Sequence, residues 1–388
     1  MLIKSARKVF DMKFATKVVK HNYESAESGE VVEPIHLSTI CSQRIPGEVR
    51  GYEYGRINNP TRNNLEKDLA YLENGKYAVL FSSGMSAINS VISTLNPGDE
   101  IICSEQVYEG TQRLLDDIFA KKGISTKYIK RESEIIENLT DATKLVWFES
   151  LSNPLLQIPD IKSIKEFIQG YNCKLLIDSS FTSPYCMLPL DLGADIIVES
   201  ATKFLSGHHD LISGVVVTNN TSMYEEVLTI QQTTGNMLDP LSSYLLARGI
   251  KTLDVRLERQ CNNAVKLSNW LSKQDIVSKV IFPGLESHPN YSLAKKQMKA
   301  YGAIISVTID GDEDQLNAFY EKLKGIKISH SFGGYGTTIQ VPRKMMNFSM
   351  SNEELDQIGI TENMIRISVG LEHIEDIIAD FESALTFM

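Results

Sequence analysis

Two side chains in this sequence could do chemistry on a carbonyl cofactor. Lys203 closely follows the short apolar run 196–198, and its amine could form a Schiff base with a carbonyl group. Asp178 directly follows the run 175–177, where a carboxylate could pair with a protonated ring nitrogen. Taken singly, such a lysine is normally a solvated charge, and such an aspartate is more often a helix N-cap. A site is therefore indicated only if other groups accompany the two.

Five further residues form a pattern typical of phosphate binding. Ser83, Gly84 and Met85 open a helical segment, which offers free backbone N–H groups and a positive helix end to an anion. Ser200 and Thr202 lie just before the lysine and add two hydroxyl donors. A small-residue helix start alone is commonly a plain turn. A lysine, an aspartate and a phosphate cradle are together the three groups that pyridoxal phosphate requires, so the sequence predicts this cofactor.

Strands that alternate with helices position these residues. The candidate strands are short apolar runs rich in β-branched residues, and the segments between them have helical spacing. We expect strands at 77–81, 100–103, 145–148, 175–177, 196–198 and 214–217, and helices at 85–95, 110–120 and 161–169. This alternation predicts an α/β fold with a mostly parallel sheet, whose ligands lie beyond the carboxyl ends of the strands.

The chain changes character near both ends. Residues 1–60 have weak periodicity and several turn formers, which predicts an extended arm. We assign residues 61–252 to a large domain that binds the cofactor. Residues 253–388 are expected to form a smaller α+β domain. A helical pattern over 244–271, interrupted by Gly249, leads into this domain, followed by a strand at 301–309 and a last helix from about Ile374.

Composition excludes several classes of protein. The chain has 388 residues, 42% of them hydrophobic, which is enough to bury a large core without disulfides. A net charge of -10 argues against a general binder of nucleic acid or anionic membranes. No apolar run approaches the roughly 18 residues of a membrane helix, and no secretory signal is evident. Five widely spaced cysteines without a Cys-x-x-Cys pair predict free thiols in the cytoplasm.

Metal and nucleotide sites are not supported. His208, His209 and Asp210 form the only cluster of metal-ligand residue types, but adjacent residues on one loop rarely point at a common ion, so we predict no metal. The sequence contains neither Gly-x-Gly-x-x-Gly nor a Gly-Lys-Thr phosphate loop. A nicotinamide-dependent oxidoreductase therefore lacks its glycine fingerprint.

Several motifs together resemble the Cys/Met-metabolism enzymes that use pyridoxal phosphate, the trans-sulfuration family. The resemblance covers the chain from about Phe14 onward, and its motifs lie at 51–61, 83–88, 200–208, 245–252, 287–289 and 365–372. Cystathionine γ-lyase and cystathionine γ-synthase are the most similar members. The resemblance implies the aspartate-aminotransferase-like fold, known as fold type I, and a homotetramer built from two dimers that share active sites between subunits.

The resemblance also assigns roles to individual residues. Lys203 matches the Schiff-base lysine, Asp178 the partner of the ring nitrogen, and Tyr108 the aromatic residue that stacks on the ring. Phosphate-binding positions are matched by Ser83, Gly84, Met85, Ser200 and Thr202 within one subunit, and by Tyr54 and Arg56 from the neighbouring subunit. Substrate-binding positions are matched by Asn153 and Arg366 for the α-carboxylate, by Ser331, and by Glu53 and Arg113 for the distal amino-acid end. Lys203, Tyr108, Tyr54 and Asp178 are the catalytic candidates.

Departures from the family pattern leave the substrate open. His330 and Gly336 stand where cystathionine enzymes tend to carry Glu, and Met346 where Thr is usual. The implied activity is pyridoxal-phosphate-dependent γ-elimination on cystathionine or a related sulfur amino acid. The alternatives are γ-replacement on an activated homoserine, as in a γ-synthase, and activity like that of methionine γ-lyase or cystathionine β-lyase. A further rival is a scaffold that has lost catalysis, although retention of Lys203 and Asp178 argues against it.

Overall fold

The larger of two sheets is mostly parallel, as the alternation of strands and helices predicts. The computed structural model describes residues 12–20, 29–346 and 350–388. The sheet has the strand order β1-β7-β6-β5-β4-β2-β3. Its strands are β1 (Tyr77–Phe81), β2 (Glu100–Ser104), β3 (Ser125–Ile129), β4 (Thr143–Glu149), β5 (Lys174–Asp178), β6 (Ile196–Glu199) and β7 (Gly214–Thr218). Strands β2 to β6 pair in parallel, and β7 runs antiparallel to its neighbours β1 and β6.

All six strands expected in this sheet are present. Strand β1 has the expected bounds, and the other five are longer by one or two residues at one or both ends. In this sheet, β3 is the one strand that the sequence did not predict. It lies at the edge of the sheet beside β2, and most of its side chains are half-buried or exposed. An edge strand needs no continuous apolar run, so the pattern that identifies its buried neighbours is missing there.

Helices cover both faces of this sheet, and several begin at a side-chain cap. The helices are α1 (Phe14–Val19), α2 (Pro60–Leu72), α3 (Gly84–Ile92), α4 (Glu109–Arg113), α5 (Glu134–Asn138), α6 (Ile161–Phe167), α7 (Ser183–Cys186), α8 (Pro189–Leu192), α9 (Thr221–Thr234) and α10 (Pro240–Ile250). Asn59 caps α2 by accepting from the backbone N–H of Arg62, and Ser83 caps α3 in the same way from Ser86. These caps satisfy N–H groups that have no partner within a helix, and so fix where each helix begins.

Two helical segments differ from the expectation. The segment 110–120 is not one α-helix, because α4 ends at Arg113 and a π-helical turn follows over Leu114–Phe119. The pattern at 244–271 divides at residues 251–252 into α10 and α11 (Leu253–Leu271). Gly249 does not interrupt it, because this residue lies inside α10. A Cβ there would collide with the carbonyl oxygen of Ser206, so close packing requires the glycine.

A second sheet of five strands lies in the C-terminal part of the chain. Its order is β10-β11-β12-β9-β8, with β8 (Val277–Ile281), β9 (Ile304–Ile309), β10 (Lys327–Ile328), β11 (Thr338–Gln340) and β12 (Met364–Ser368). The remaining helices are α12 (Tyr291–Gln297), α13 (Glu313–Lys322), α14 (Pro342–Met345), α15 (Asn352–Ile358) and α16 (Ile374–Leu385). Buried side chains of α11, α13 and α16 pack on β9 and β12 in a core of their own. This sheet is mostly antiparallel.

Residues 29–59, which we call the arm, contain no helix or strand, only an isolated bridge between Ile40 and Tyr54. The C-terminal end of the arm is held against α2. The guanidinium of Arg62 in this helix donates to the carbonyl groups of Gly55 and Ile57 at 3.1 Å. Over the described residues, no helix combines the length and apolar character that crossing a membrane would require.

Candidate active site

The carboxyl ends of three adjacent strands meet beside one cavity. Glu149, Asp178 and Glu199 are the last residues of β4, β5 and β6, and Glu149 pairs with Asp178 in the strand register. The cavity has a volume of about 370 Å³. Eleven of the residues proposed from the sequence line it: Ser83, Gly84, Met85, Tyr108, Asn153, Asp178, Ser200, Thr202, Lys203, Ser331 and Arg366. The cavity thus brings together side chains that are far apart in the sequence.

Lys203 provides an amine that can change its protonation state near neutral pH. Its Nζ donates to the Oγ of Ser331 at 2.6 Å and lies 4.7 Å from the centre of the Phe332 ring. Burial, and to a smaller extent the positive charge of Arg366, lower the pKa of the Lys203 amine to about 8, whereas the charge of Asp178 opposes this shift. An amine with this pKa can act as a nucleophile or a base without leaving its pocket.

Asp178 is buried and receives few hydrogen bonds. Only 9% of the residue is exposed, and one carboxylate oxygen accepts from the backbone N–H of Ser180 at 2.9 Å. Burial raises the pKa of Asp178, whereas the bond from Ser180 and the charge of Lys203 oppose the rise. A protonated ring nitrogen placed against this carboxylate would therefore find a partner with little competing solvation.

The start of α3 and the segment after β6 approach each other closely. A Cβ on Gly84 would lie 3.0 Å from the Cβ of Ser200, so any larger residue would require Ser200 to shift. The N–H groups of the first turn of a helix have no intrahelical partner, which suits a phosphate. The hydroxyl of Thr202 donates to the carbonyl of Ser213 at 3.1 Å and also accepts from its N–H. These two segments form a cradle that fits a phosphate. Within it, the Thr202 hydroxyl is hydrogen-bonded to Ser213, whereas the Ser200 hydroxyl is not.

Arg366 enters the cavity from the second sheet, on β12. Its Nη1 donates to the Oδ1 of Asn153, and its Nη2 to the carbonyl of Ser331, both at 2.9 Å. Its Nε is buried and has no partner among the described residues. Burial lowers the pKa of the Arg366 guanidinium to about 10, so the group still carries its charge at pH 7. A buried guanidinium with an unused donor is suited to a carboxylate ligand.

Tyr108 lies at the mouth of the cavity and is the N-cap residue of α4. Its backbone N–H donates to Glu149 at 2.6 Å. Burial raises the pKa of the Tyr108 phenol, and the charge of Glu109 raises it further, so the phenol keeps its proton at neutral pH. Such a side chain offers an aromatic face and one hydroxyl donor.

Four residues proposed from the sequence do not line the cavity of the single chain: Glu53, Tyr54, Arg56 and Arg113. Arg56 donates to the carbonyl of Gln232, and its guanidinium lies 5.5 Å from the Tyr54 ring. Glu53 and Arg113 are exposed. Of the three residues that depart from the family pattern, His330 and Met346 line the cavity, whereas Gly336 lies near Glu372.

Among the cavity-lining residues that sequence reasoning missed, three bear on the chemistry of the site. Phe181 and Phe332 are buried aromatic residues that lie near the guanidinium of Arg366. Glu199 is the last residue of β6 and directly precedes Ser200. The rule that a site lies beyond the strand ends could have identified Glu199, but no local pattern indicates the two aromatic residues. In the described part of the chain, no group of three or more acidic, His or Cys side chains could hold a metal ion.

Comparison with known proteins identifies the family whose members this chain resembles over nearly its whole length. The family model for the Cys/Met metabolism PLP-dependent enzymes matches residues 15–386. The cystathionine gamma-lyase of Dictyostelium discoideum is 38% identical over 96% of this chain and 97% of its own. A cystathionine beta-lyase of Lactococcus lactis is 39% identical over 95% of this chain and 98% of its own. The solved cystathionine gamma synthase of Xanthomonas oryzae is 33% identical, with a TM-score of 0.94 over 97% of this chain and 99% of that one.

Proposed function

The chain belongs to the Cys/Met metabolism PLP-dependent enzymes, a family of fold type I, and we propose that it cleaves cystathionine by γ-elimination. Water and cystathionine would give cysteine, 2-oxobutanoate and ammonia. The observation that carries this proposal is the position of Lys203, whose amine lies in one cavity with Asp178 and Arg366. Attachment, ring-nitrogen pairing and carboxylate binding are the functions that this chemistry requires.

The residues of the cavity would hold the cofactor at its attachment point, at its ring and at its phosphate. Lys203 would attach it, Asp178 would pair with its ring nitrogen, and Tyr108 would cover its ring. Phosphate contacts would come from Ser83, Gly84, Met85, Ser200 and Thr202 of the same chain. When bound, pyridoxal phosphate supplies an electron-withdrawing ring that stabilises negative charge at the substrate's Cα.

Arg366 would bind the α-carboxylate of the substrate. Asn153 already accepts from its Nη1, which fixes the plane of the guanidinium. The rings of Phe181 and Phe332 exclude water from this end of the cavity, because both residues are 7% exposed or less. A charge-assisted contact in a dry pocket is strong and directional, so it would orient the Cα proton toward Lys203.

Lys203 would move the protons. Elimination at the γ-carbon requires removal of a proton first from Cα and then from Cβ, so the base must reach two positions. The amine of Lys203 sits on a four-carbon stem, and a pKa of about 8 suits proton transfer in both directions near neutral pH. Tyr108 would assist as a neutral phenol, and Tyr54 from a second copy of the chain would lie beside it.

β-Elimination is the second candidate, favoured by the relatives named cystathionine beta-lyase at 39–40% identity. It would give homocysteine, pyruvate and ammonia. Cystathionine γ-synthase activity is the third, favoured by the Xanthomonas neighbour. The deciding experiment is product analysis with cystathionine, methionine, cysteine and an activated homoserine plus cysteine, each separately. 2-Oxobutanoate from cystathionine supports the proposal. Pyruvate in its place, or formation of cystathionine alone, would contradict it.

The assembly is also part of the proposal. The arm exposes large apolar side chains that a single chain leaves in water: Val31, Val32, Leu37, Ile40 and Ile45. Exposed apolar surface of this kind is typical of a subunit interface. We therefore place the arm against a second copy, within a homotetramer of two dimers, where Tyr54 and Arg56 would reach the phosphate of that copy's site.

The same proposal divides the chain into three parts. Residues 1–60 form the N-terminal part that contains the arm, residues 61–252 the cofactor domain and residues 253–388 the small domain. The gap between α10 and α11 supports the second boundary. We place the enzyme in the cytoplasm, which is supported by five cysteines that are all free thiols.

A further inference from the structure

The long helix α11 buries three polar side chains on one face. Arg256, Gln260 and Asn263 are four and three residues apart, which places them on the same side of the helix, and each is 4% exposed or less. A helix face that packs in a core is normally apolar, and buried polar groups require hydrogen-bond partners. Each of the three donates to main-chain carbonyl groups beyond the helix, so α11 holds other segments of the chain in place.

Arg256 holds the chain that directly follows Lys203. Its Nη1 donates to the carbonyl of Phe204 at 2.9 Å, and its Nη2 donates to that of Leu205 at 3.3 Å. A Cβ on Gly207 would collide with this guanidinium, so the chain after the lysine turns directly against it. Because the donors form a rigid planar fork, the two bonds restrict both the position and the direction of this turn.

Gln260 lies about one turn further along α11 and holds the chain that carries two of the substrate-binding candidates. Its Nε2 donates to the carbonyl of Gly334 at 2.8 Å and to that of Val369 at 3.1 Å. Gly334 comes three residues after Ser331, and Val369 comes three residues after Arg366. One amide group therefore links the two stretches of chain from which Ser331 and Arg366 reach the cavity.

The backbones held by Arg256 and by Gln260 are in direct contact with each other. A Cβ on Gly333 would lie 2.8 Å from the backbone nitrogen of Phe204 and 3.0 Å from the carbonyl carbon of Lys203. At such close range, a small shift of either backbone would change the distance between the cofactor-attaching amine and the substrate-binding residues. The hydrogen bonds from α11 do not involve the Lys203 amine, so they hold the two backbones whether or not this amine attaches a cofactor.

We propose that Arg256 and Gln260 are positioning residues that set the separation between the Lys203 amine and the site for the substrate's α-carboxylate. Arg256 acts through the main chain after Lys203, and Gln260 acts through the chain that carries Ser331 and Arg366. Because one helix bonds to both, the two groups keep a fixed separation. The inference rests on the proposed cofactor and on carboxylate binding by Arg366, and not on which C–S bond breaks, so product analysis and the tests below fail independently.

The first test measures cofactor binding to the apoprotein. Arg256→Met removes the donors to the chain after Lys203, and a misplacement of about 1 Å can cost about a hundredfold in an active site. We expect the dissociation constant of pyridoxal phosphate to rise at least about tenfold. Arg256→Lys keeps the charge but not the planar fork, so we expect a rise of about threefold, which also provides the readout if Arg256→Met does not fold. An unchanged dissociation constant in the folded variants would overturn the proposal.

The second test separates the two residues. Gln260→Met keeps the length of the side chain and removes both donated hydrogen bonds, so we expect the dissociation constant of pyridoxal phosphate to change less than about twofold. Glycine is the probe for the other side, because it has an α-carboxylate but no side chain to eliminate. Its dissociation constant, followed by the cofactor's absorbance in the holoenzyme, is expected to rise about tenfold. Equal weakening of cofactor and glycine, or of neither, would refute separate roles for Arg256 and Gln260.

Gln231→Met is the matched control for Gln260→Met. Both glutamines are 0% exposed, and the Nε2 of Gln231 donates to the carbonyl of Leu80 at 2.6 Å, away from the residues that line the cavity. The control should lower the free energy of unfolding about as much as Gln260→Met does, while both dissociation constants stay within about twofold. Glycine binding weakened equally in the two variants would mean that lost stability alone explains the effect, which would contradict the proposal.

Discussion

The cavity wall and the arm differ in how much of their surface one chain covers. Lys203, Asp178 and Arg366 are held by hydrogen bonds to Ser331, Ser180 and Asn153 within the same chain. In the arm, Val31 is 94% exposed and Ile40 is 70% exposed. One chain therefore forms the cavity by itself, whereas the arm leaves its apolar side chains exposed. In the proposed assembly, attachment of the cofactor and completion of the site by a second copy would be separable events.

The largest expected effect is on the cavity side. Lys203→Ala removes both the attachment point and the mobile base, so we expect turnover to fall by at least about a thousandfold. Borohydride reduction of the holoenzyme, followed by peptide mapping, checks the attachment. Lys251→Ala is the matched control, because burial also lowers the pKa of Lys251 to about 8 but this residue does not line the cavity. Reduced cofactor on any lysine other than Lys203 would refute the assignment.

The arm side is tested by mixing two inactive proteins. In a dimer of Arg56→Ala and Lys203→Ala subunits, one of the two sites would contain both native residues if Arg56 acts across the interface. Random reassociation of equal amounts should restore about a quarter of the wild-type activity. Activity of the mixture after co-refolding, with dimer composition measured by mass spectrometry, is the readout. No recovery in dimers shown to be mixed would mean that Arg56 serves its own chain.

Arg366→Lys tests whether the small domain contributes a planar, two-point contact. Lysine keeps the positive charge but not the fork of donors, so we expect kcat/KM to fall ten- to a hundredfold for every amino-acid substrate. Arg343→Lys is the control, since this arginine pairs with Asp356 outside the cavity. A loss confined to cystathionine would show that Arg366 binds the distal end and not the α-carboxylate.

Arg113→Ala tests the substrate's distal end, where the effect is the smallest. Arg113 is exposed in the single chain and would face the distal carboxylate only in the assembled site. Loss of one charge-assisted contact is expected to reduce kcat/KM for cystathionine about tenfold. The values for cysteine and homocysteine should stay within about twofold, because these molecules lack a distal amino-acid end. Equal losses for all substrates would remove Arg113 from substrate recognition.

Residues at strand ends were the part of the site most open to prediction. Asp178 ends β5 and Lys203 follows β6. Apart from Lys174, every residue of these two strands is buried, and their centres are continuous apolar runs that a sequence displays directly. Arg366 is different, because β12 reaches the cavity only through the packing of the second sheet, and its role came from the resemblance alone.

Parts of the fold escaped prediction for a related reason. Strands β8, β10 and β11 of the second sheet are short or partly exposed, so they lack the apolar runs that identify the large sheet. Strand β12 is fully buried, but Arg366 interrupts its apolar run. Gly249 looked like a helix breaker, although its real constraint is the backbone of Ser206. Local propensity describes a residue's own backbone, whereas these positions are decided by what packs against them.

The cavity takes its two halves from different sheets, and this division bears on how such an enzyme can diverge. Lys203 and Asp178 belong to the large sheet, while Ser331, His330, Met345 and Met346 reach the same space from the C-terminal part. Under the proposed function, substitutions of His330, Met345 or Met346 would alter which amino acid is accepted, while Lys203 and Asp178 would keep the attachment chemistry. A descendant can thus acquire a new substrate by drift in a few peripheral positions, without passing through a form that has lost its cofactor.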